Sequence, residues 1–104
     1  MIFPAYTCPN EGGSVSQWTF LTNHAHVLIH LSGSPDSRIR DIASAVGITE
    51  RSVQGILHDL ETDGYVTTTK SGRRNTYRIE PNLRFRHPAE ADHRIGELLR
   101  IFKP

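Results

Sequence analysis

Between residues 49 and 58 the chain carries Thr49, Glu50, Arg51, Ser52, Gln54, Gly55 and His58, interleaved with the aliphatic Val53, Ile56 and Leu57. The aliphatics, continued by Leu60, recur at helical spacing, so burying them turns the polar set outward. A guanidinium such as Arg51 can bond guanine O6 and N7 together, and a carboxamide such as Gln54 can bond adenine N6 and N7. Glu50 can accept from cytosine N4, yet it repels phosphate unless it meets that base or a basic group such as Arg51. The hydroxyls of Thr49 and Ser52, at the helix start, suit phosphate oxygens. Gly55 weakens such a helix by roughly 1 kcal/mol relative to Ala, and close approach of another surface is one reason to keep it.

A second set follows closely. Lys70, Ser71, Gly72, Arg73, Arg74 and Asn75 put cations around a glycine turn, with Arg78, Arg84 and Arg86 beyond. From 70 to 86 only Glu80 opposes these six cations, whereas residues 1–37 hold no Lys or Arg. The net charge of +1 hides this asymmetry. A local basic stripe, rather than the whole-chain sum, is the electrostatic footprint of a polyanion partner. Lys70, Arg73 and Arg74 could follow a minor groove and its phosphates, with Gly72 allowing the turn; Asn75 suits either contact or turn.

Other chemistries are poorly supplied. His26 and His30 stand at i, i+4, a spacing that can hold a metal on one helix face. No acidic partner lies beside them and the single cysteine, Cys8, is remote, so no metal site and no cofactor are expected. Nucleophile–base pairings, phosphate-cradling glycine loops and paired carboxylates are also missing, and the chain does not read as an enzyme.

Positioning the two polar sets requires a particular order of elements. Residues 1–17, with Pro4, Pro9, Gly12 and Gly13, read as a mobile arm. Trp18 and Phe20 are expected to anchor that arm to the core. Thr22 or Asn23 can cap a first helix that buries Leu21, Ala25, Leu28 and Leu31, with Val27 at the edge. Ser32 to Asp36 ends it. A second helix spans Ile39 to Val46, Gly47 supplies the left-handed stop, and Thr49 caps a third helix to about Asp63. After Gly64 the pattern becomes β: strands over 65–70 and 76–79 flank a turn at 71–75. Pro88 then opens a final helix with Ala91, Ile95, Leu98, Leu99 and Phe102 on one stripe.

Two helices crossing steeply need a small residue at their closest approach, Ala43, and a turn residue tolerant of positive φ, Gly47. Ile42, Val46, Ile48, Val53 and Ile56 can fill the core they enclose. In these positions the chain resembles the helix-turn-helix proteins. Read whole, Arg40 to Val53, with Leu60-Glu61-Thr62-Asp63-Gly64-Tyr65-Val66 and Gly72-Arg73-Arg74-Asn75, is similar to bacterial winged-helix regulators of the MarR and ArsR type. The resemblance covers about residues 20–80. It implies an α+β winged helix-turn-helix over 18–80, a three-helix core plus a β-hairpin wing, followed by an additional C-terminal helix over 81–104. It also implies binding to double-stranded DNA and transcriptional regulation, more often repression.

The stripe Ile95, Leu98, Leu99 and Phe102 is large for a terminal element, and it is read as a homodimer interface. Two alternatives stay open. A winged helix can serve as a protein-interaction module, and a DNA binder can be architectural or plasmid-type with little sequence preference. The 104 residues suit one core of 37% hydrophobic composition, with no run of about 20 apolar residues to span a bilayer. With no signal-peptide pattern and one cysteine, a cytoplasmic location is expected. An effector is not legible; only a cleft between the first and last helices offers room for one.

Overall fold

The computed structural model describes residues 18–103. The arm expected over 1–17 lies outside them. The elements run α1 (Asn23–Gly33), α2 (Ile39–Val46), α3 (Glu50–Thr62), β1 (Val66–Ser71), β2 (Arg74–Ile79) and α4 (Ile95–Ile101).

Each of the first three helices has a local cause for at least one of its ends. Thr22 caps α1 by accepting from the Ala25 N–H at 3.3 Å. Thr49 caps α3 by accepting from the Ser52 N–H at 3.0 Å. Gly47 closes α2 at φ +87°, where a side chain would be strained, and its N–H reaches the Ala43 carbonyl at 2.8 Å. Gly64, at φ +85°, performs the same turn after α3.

The core lies where α1, α2 and α3 cross. Val27, Leu31, Ile42 and Val53 are almost wholly shielded from solvent, with Leu28, Ala43, Ile56, Leu57 and Leu60 around them. Val27 is thus central, not at the edge of its stripe, while Leu21 and Ala25 are only half-buried. Val46 and Ile48 pack partly buried against the same cluster. The hairpin covers its open side with Val66 and Tyr77.

Strands β1 and β2 pair antiparallel from Val66 with Ile79 to Ser71 with Arg74. The turn is therefore Gly72-Arg73 alone, shorter than 71–75. Gly72 takes φ +64° at the first turn position, as a tight two-residue hairpin requires. The Tyr77 N–H reaches the Pro35 carbonyl at 2.8 Å, so the loop before α2 lies along the edge of β2.

Two expectations fail. Trp18 and Phe20 are not buried in the core: they are 66% and 91% exposed and meet each other edge to face, centroids 5.0 Å apart. The final helix begins at Ile95, not Pro88. Residues 83–95 instead fold back on themselves, with the Phe85 N–H on the His93 carbonyl and the Ile95 N–H on the Leu83 carbonyl. Pro88 and Ala91 sit in the turns of this loop. The buried Tyr65 hydroxyl binds the loop by donating to the Arg84 carbonyl at 2.6 Å. Long-range hydrogen bonds thus displace a locally plausible helix.

Helix α4 starts where Glu97 accepts from the Arg94 N–H at 3.1 Å and meets His93 Nδ1 at 2.7 Å. These bonds, that to His93 foremost, hold the Glu97 carboxyl below the usual carboxylate range. Gly96 is required for docking. A Cβ there would stand 3.1 Å from Pro81 Cβ and 3.2 Å from the Pro81 carbonyl oxygen, neither of which can rotate away. Overpacking costs about 1–3 kcal/mol, against roughly 1 kcal/mol gained by Ala over Gly in a helix. Gly96→Ala is therefore expected to lower stability by about 1 kcal/mol in urea unfolding; a stabilised variant would refute this contact.

Ile95 and Leu98, expected at a dimer interface, are buried within the chain itself. Leu99 packs half-buried against the core, and Phe102 is 43% exposed. No described helix is long and apolar enough to cross a membrane.

Candidate nucleic-acid interface

Helix α3 presents the polar set as its spacing requires. Glu50, Arg51, Ser52, Gln54, Gly55 and His58 are all exposed, while Val53, Ile56, Leu57 and Leu60 are buried. Among the described residues, the side chains of Arg51, Gln54, Glu50 and His58 make no hydrogen bond or ion pair within the chain. Glu50 in particular does not pair with Arg51. Thr49 is partly spent on the fold: its hydroxyl caps Ser52 N–H and donates to Ser52 Oγ at 2.9 Å.

Gly55 has open space where its side chain would be, with nothing within 4 Å. Packing inside the chain does not require it. It borders a shallow depression with Asn23, Ser52 and His58 on the outer face of α3. Gly55→Ala is therefore expected to raise stability by roughly 0.5–1 kcal/mol, read as a higher midpoint in urea. If α3 approaches a partner closely, the same variant binds that partner less well.

The hairpin sorts its cations by strand alternation. Arg74 and Arg78 point to the solvent face with Thr67, Thr69, Ser71 and Thr76, while Lys70 and Asn75 pair on the face that carries Val66 and Tyr77. Gly72 and Arg73 form the tip. Asn75 is half-buried inside β2 and takes no part in the turn. Arg74 is not wholly free, since its guanidinium reaches the Asp36 carbonyl at 3.4 Å. Arg73 and Lys70 have no partner among the described residues.

That Arg74 contact shows what the sequence reading missed. It brings the tip end of β2 beside the loop leading into α2, where Arg38 and Arg40 are exposed. Both lie at the start of the helix that packs against α3. Their signal in the sequence was two cations flanking an N-terminus, the end of a helix that attracts phosphate. The exposed cations of these elements are Arg38, Arg40, Arg51, Lys70, Arg73, Arg74 and Arg78.

The histidines on α1 engage separate partners. His26 meets Asn23 Oδ1 at 3.3 Å and His30 meets Ser37 Oγ at 3.0 Å. Among the described residues no three His, Cys, Asp or Glu side chains gather as a metal site.

A helix, a glycine-stopped second helix, an outward polar third helix and a basic hairpin occur in that order. The sequence profile of the MarR family matches residues 19–74, more than half of the chain. The chain belongs to the MarR family. No curated protein matches it significantly. Solved structures share the fold at low identity. A predicted DNA-binding transcriptional regulator from E. coli aligns with a TM-score of 0.58 and 14% identity, over 99% of this chain and 97% of that one. MepR, a transcription regulator of the Staphylococcus aureus multidrug efflux pump MepA, aligns at 0.55 and 17%, over 96% and 74%. ZitR of Lactococcus lactis, solved in complex with DNA, aligns at 0.52 and 19%, over 62% and 46%. The chain spans about half the length of ZitR. The winged helix-turn-helix is thus the fold of this MarR-family chain, and its matched part ends at the wing, before the loop and α4.

Proposed function

We propose that the chain is an intracellular transcriptional regulator that binds duplex DNA sequence-specifically, acting as a homodimer and more often by repression. One observation carries the reading. Arg51 and Gln54 stand exposed and unengaged at the N-terminal half of α3, a helix whose opposite face is fully committed to the core. In the major groove this half of α3 meets base edges, and the start of α2 and the wing tip meet phosphates on either side. Membership of the MarR family and the DNA complex of ZitR support the same use of the surface.

The dimer part of the proposal rests on α4. Ile95 and Leu98 serve the chain's own core, so a partner would be met by Leu99, Phe102 and the 72% exposed Ile101. A two-fold pair places recognition helices on half-sites about one helical turn, roughly 34 Å, apart, and so favours a pseudo-palindromic target.

A fluorescence-anisotropy titration of the full chain against random-sequence duplex, across a salt series, tests the reading. Affinity is expected to fall steeply with salt, with a log–log slope of about −0.9 for each phosphate neutralised. Absence of duplex binding at low salt would overturn it and leave the protein-interaction alternative.

A further inference from the structure

Helix α3 and its C-cap carry four carboxylates, Glu50, Asp59, Glu61 and Asp63, and three of them are engaged inside the chain. Asp59 meets His24 Nε2 at 2.9 Å, Glu61 accepts from the Thr68 hydroxyl, and Asp63 binds the Arg86 guanidinium at 2.9 Å. Glu50 is the exception among the described residues. It stands exposed in the first turn, beside Arg51 and one turn before Gln54, and bonds neither. A free carboxylate on the helix that would enter the groove weakens attraction to phosphate, so it calls for a use other than general affinity.

An ionised carboxylate only accepts hydrogen bonds, so at a base edge it needs a donor. In the major groove guanine presents the acceptors N7 and O6, and thymine presents the acceptor O4 beside a methyl group. Neither can satisfy Glu50. Adenine offers its N6 amine but sets the N7 acceptor next to it. Cytosine offers its N4 amine with no acceptor of its own on that edge. Of the four bases, cytosine is the one whose own edge attracts the carboxylate without opposing it.

We propose that Glu50 is a specificity-determining residue that accepts from the N4 amine of a cytosine in the recognised site and rejects other sites by repulsion. The proposal rests on the duplex-binding reading and names a base which that surface selects. Selection of this kind has its own signature. Attraction is confined to one base, whereas repulsion acts wherever the carboxylate meets phosphate, guanine or thymine. Removing the charge therefore strengthens binding to unrelated duplex while it weakens discrimination. A carboxylate in the first turn also steadies the helix through its dipole. That role makes no demand on base identity, and by itself it leaves site selection unchanged when Glu50 is replaced.

Site selection from a random duplex pool, run on the full chain and on Glu50→Gln, which keeps the shape and loses the charge, tests the assignment. The wild type is expected to prefer cytosine at one position by about five- to tenfold over each other base, and the variant by about twofold or less. Against random-sequence duplex at fixed salt, the variant is expected to bind about two- to threefold more tightly than the wild type. N4-methylcytosine at the selected position, whose methyl replaces the hydrogen facing the groove, is expected to weaken the wild type by about five- to tenfold. Glu50→Ala, with no acceptor to lose, should respond by less than about twofold. The modified duplex probes the wild-type protein directly, so the assignment is decided even where a variant misfolds. Unchanged cytosine preference in Glu50→Gln, a wild type indifferent to N4 methylation, or weaker binding of Glu50→Gln to random duplex would each overturn the assignment while duplex binding persists. Absence of wild-type binding to any duplex would instead overturn the duplex reading, and this assignment with it.

Discussion

Ile42→Ala is expected to lower the stability of the chain by about 3 kcal/mol, within the range found when a buried Ile, Leu or Met becomes Ala. Ile42 has no exposed surface and projects from α2, which packs against both α1 and α3. Removing its outer carbons leaves a cavity at the crossing of three helices, where none can close in without losing contact with another. A small domain has only about 5–10 kcal/mol in total, so the loss is a large fraction of it. Urea unfolding should show a lower midpoint with an unchanged slope. Ile39→Ala, on the same helix but half-buried, serves as the comparison and is expected to cost clearly less. Equal effects at the two positions would mean that α2 is seated differently.

The second large effect concerns the proposed interface. On the duplex-binding reading, Arg51→Ala costs about 1–3 kcal/mol against the preferred site, or about five- to 150-fold in Kd, and relaxes selectivity at one base pair. Arg73→Ala behaves differently. It weakens all duplexes to a similar degree and reduces the salt slope by about one phosphate contact. Neither side chain has a partner among the described residues, so both variants should keep wild-type melting within about 0.5 kcal/mol. Arg74 is a poorer probe because its bond to the Asp36 carbonyl mixes stability with binding. Site selection from a random duplex pool, run on the wild type and both variants, separates the two roles. Loss of selectivity in Arg73→Ala but not in Arg51→Ala would reverse the assignment of helix and wing.

Sequence alone determined the three-helix core and its polar face. The aliphatic stripe of α3, the Gly47 stop and the caps at Thr22 and Thr49 are all local: each depends on residues within about four positions, where helix geometry leaves little choice. The exposed set Glu50 to His58 follows by subtraction once Val53, Ile56, Leu57 and Leu60 are placed inside. The basic hairpin was legible for the same reason, although its turn proved three residues shorter than the turn chemistry suggested, because strand pairing takes in Ser71, Arg74 and Asn75.

Tertiary structure decided everything that depends on contacts distant in sequence. Pro88, Ala91 and Ile95 read as one helix, yet Leu83 and Phe85 capture His93 and Ile95 through backbone bonds, and Tyr65 captures Arg84. No local pattern announces those partners. The aromatic area of Trp18 and Phe20 suggested burial, but hydrophobicity states only a preference, and a core already closed by Val27, Leu28 and Leu31 leaves them outside. The same folding back spends Ile95 and Leu98 on the chain's own core, while a separate contact, Arg74 on the Asp36 carbonyl, joins the wing to the loop before α2. Spacing along the chain specifies which side of an element is apolar; only packing specifies what that side meets.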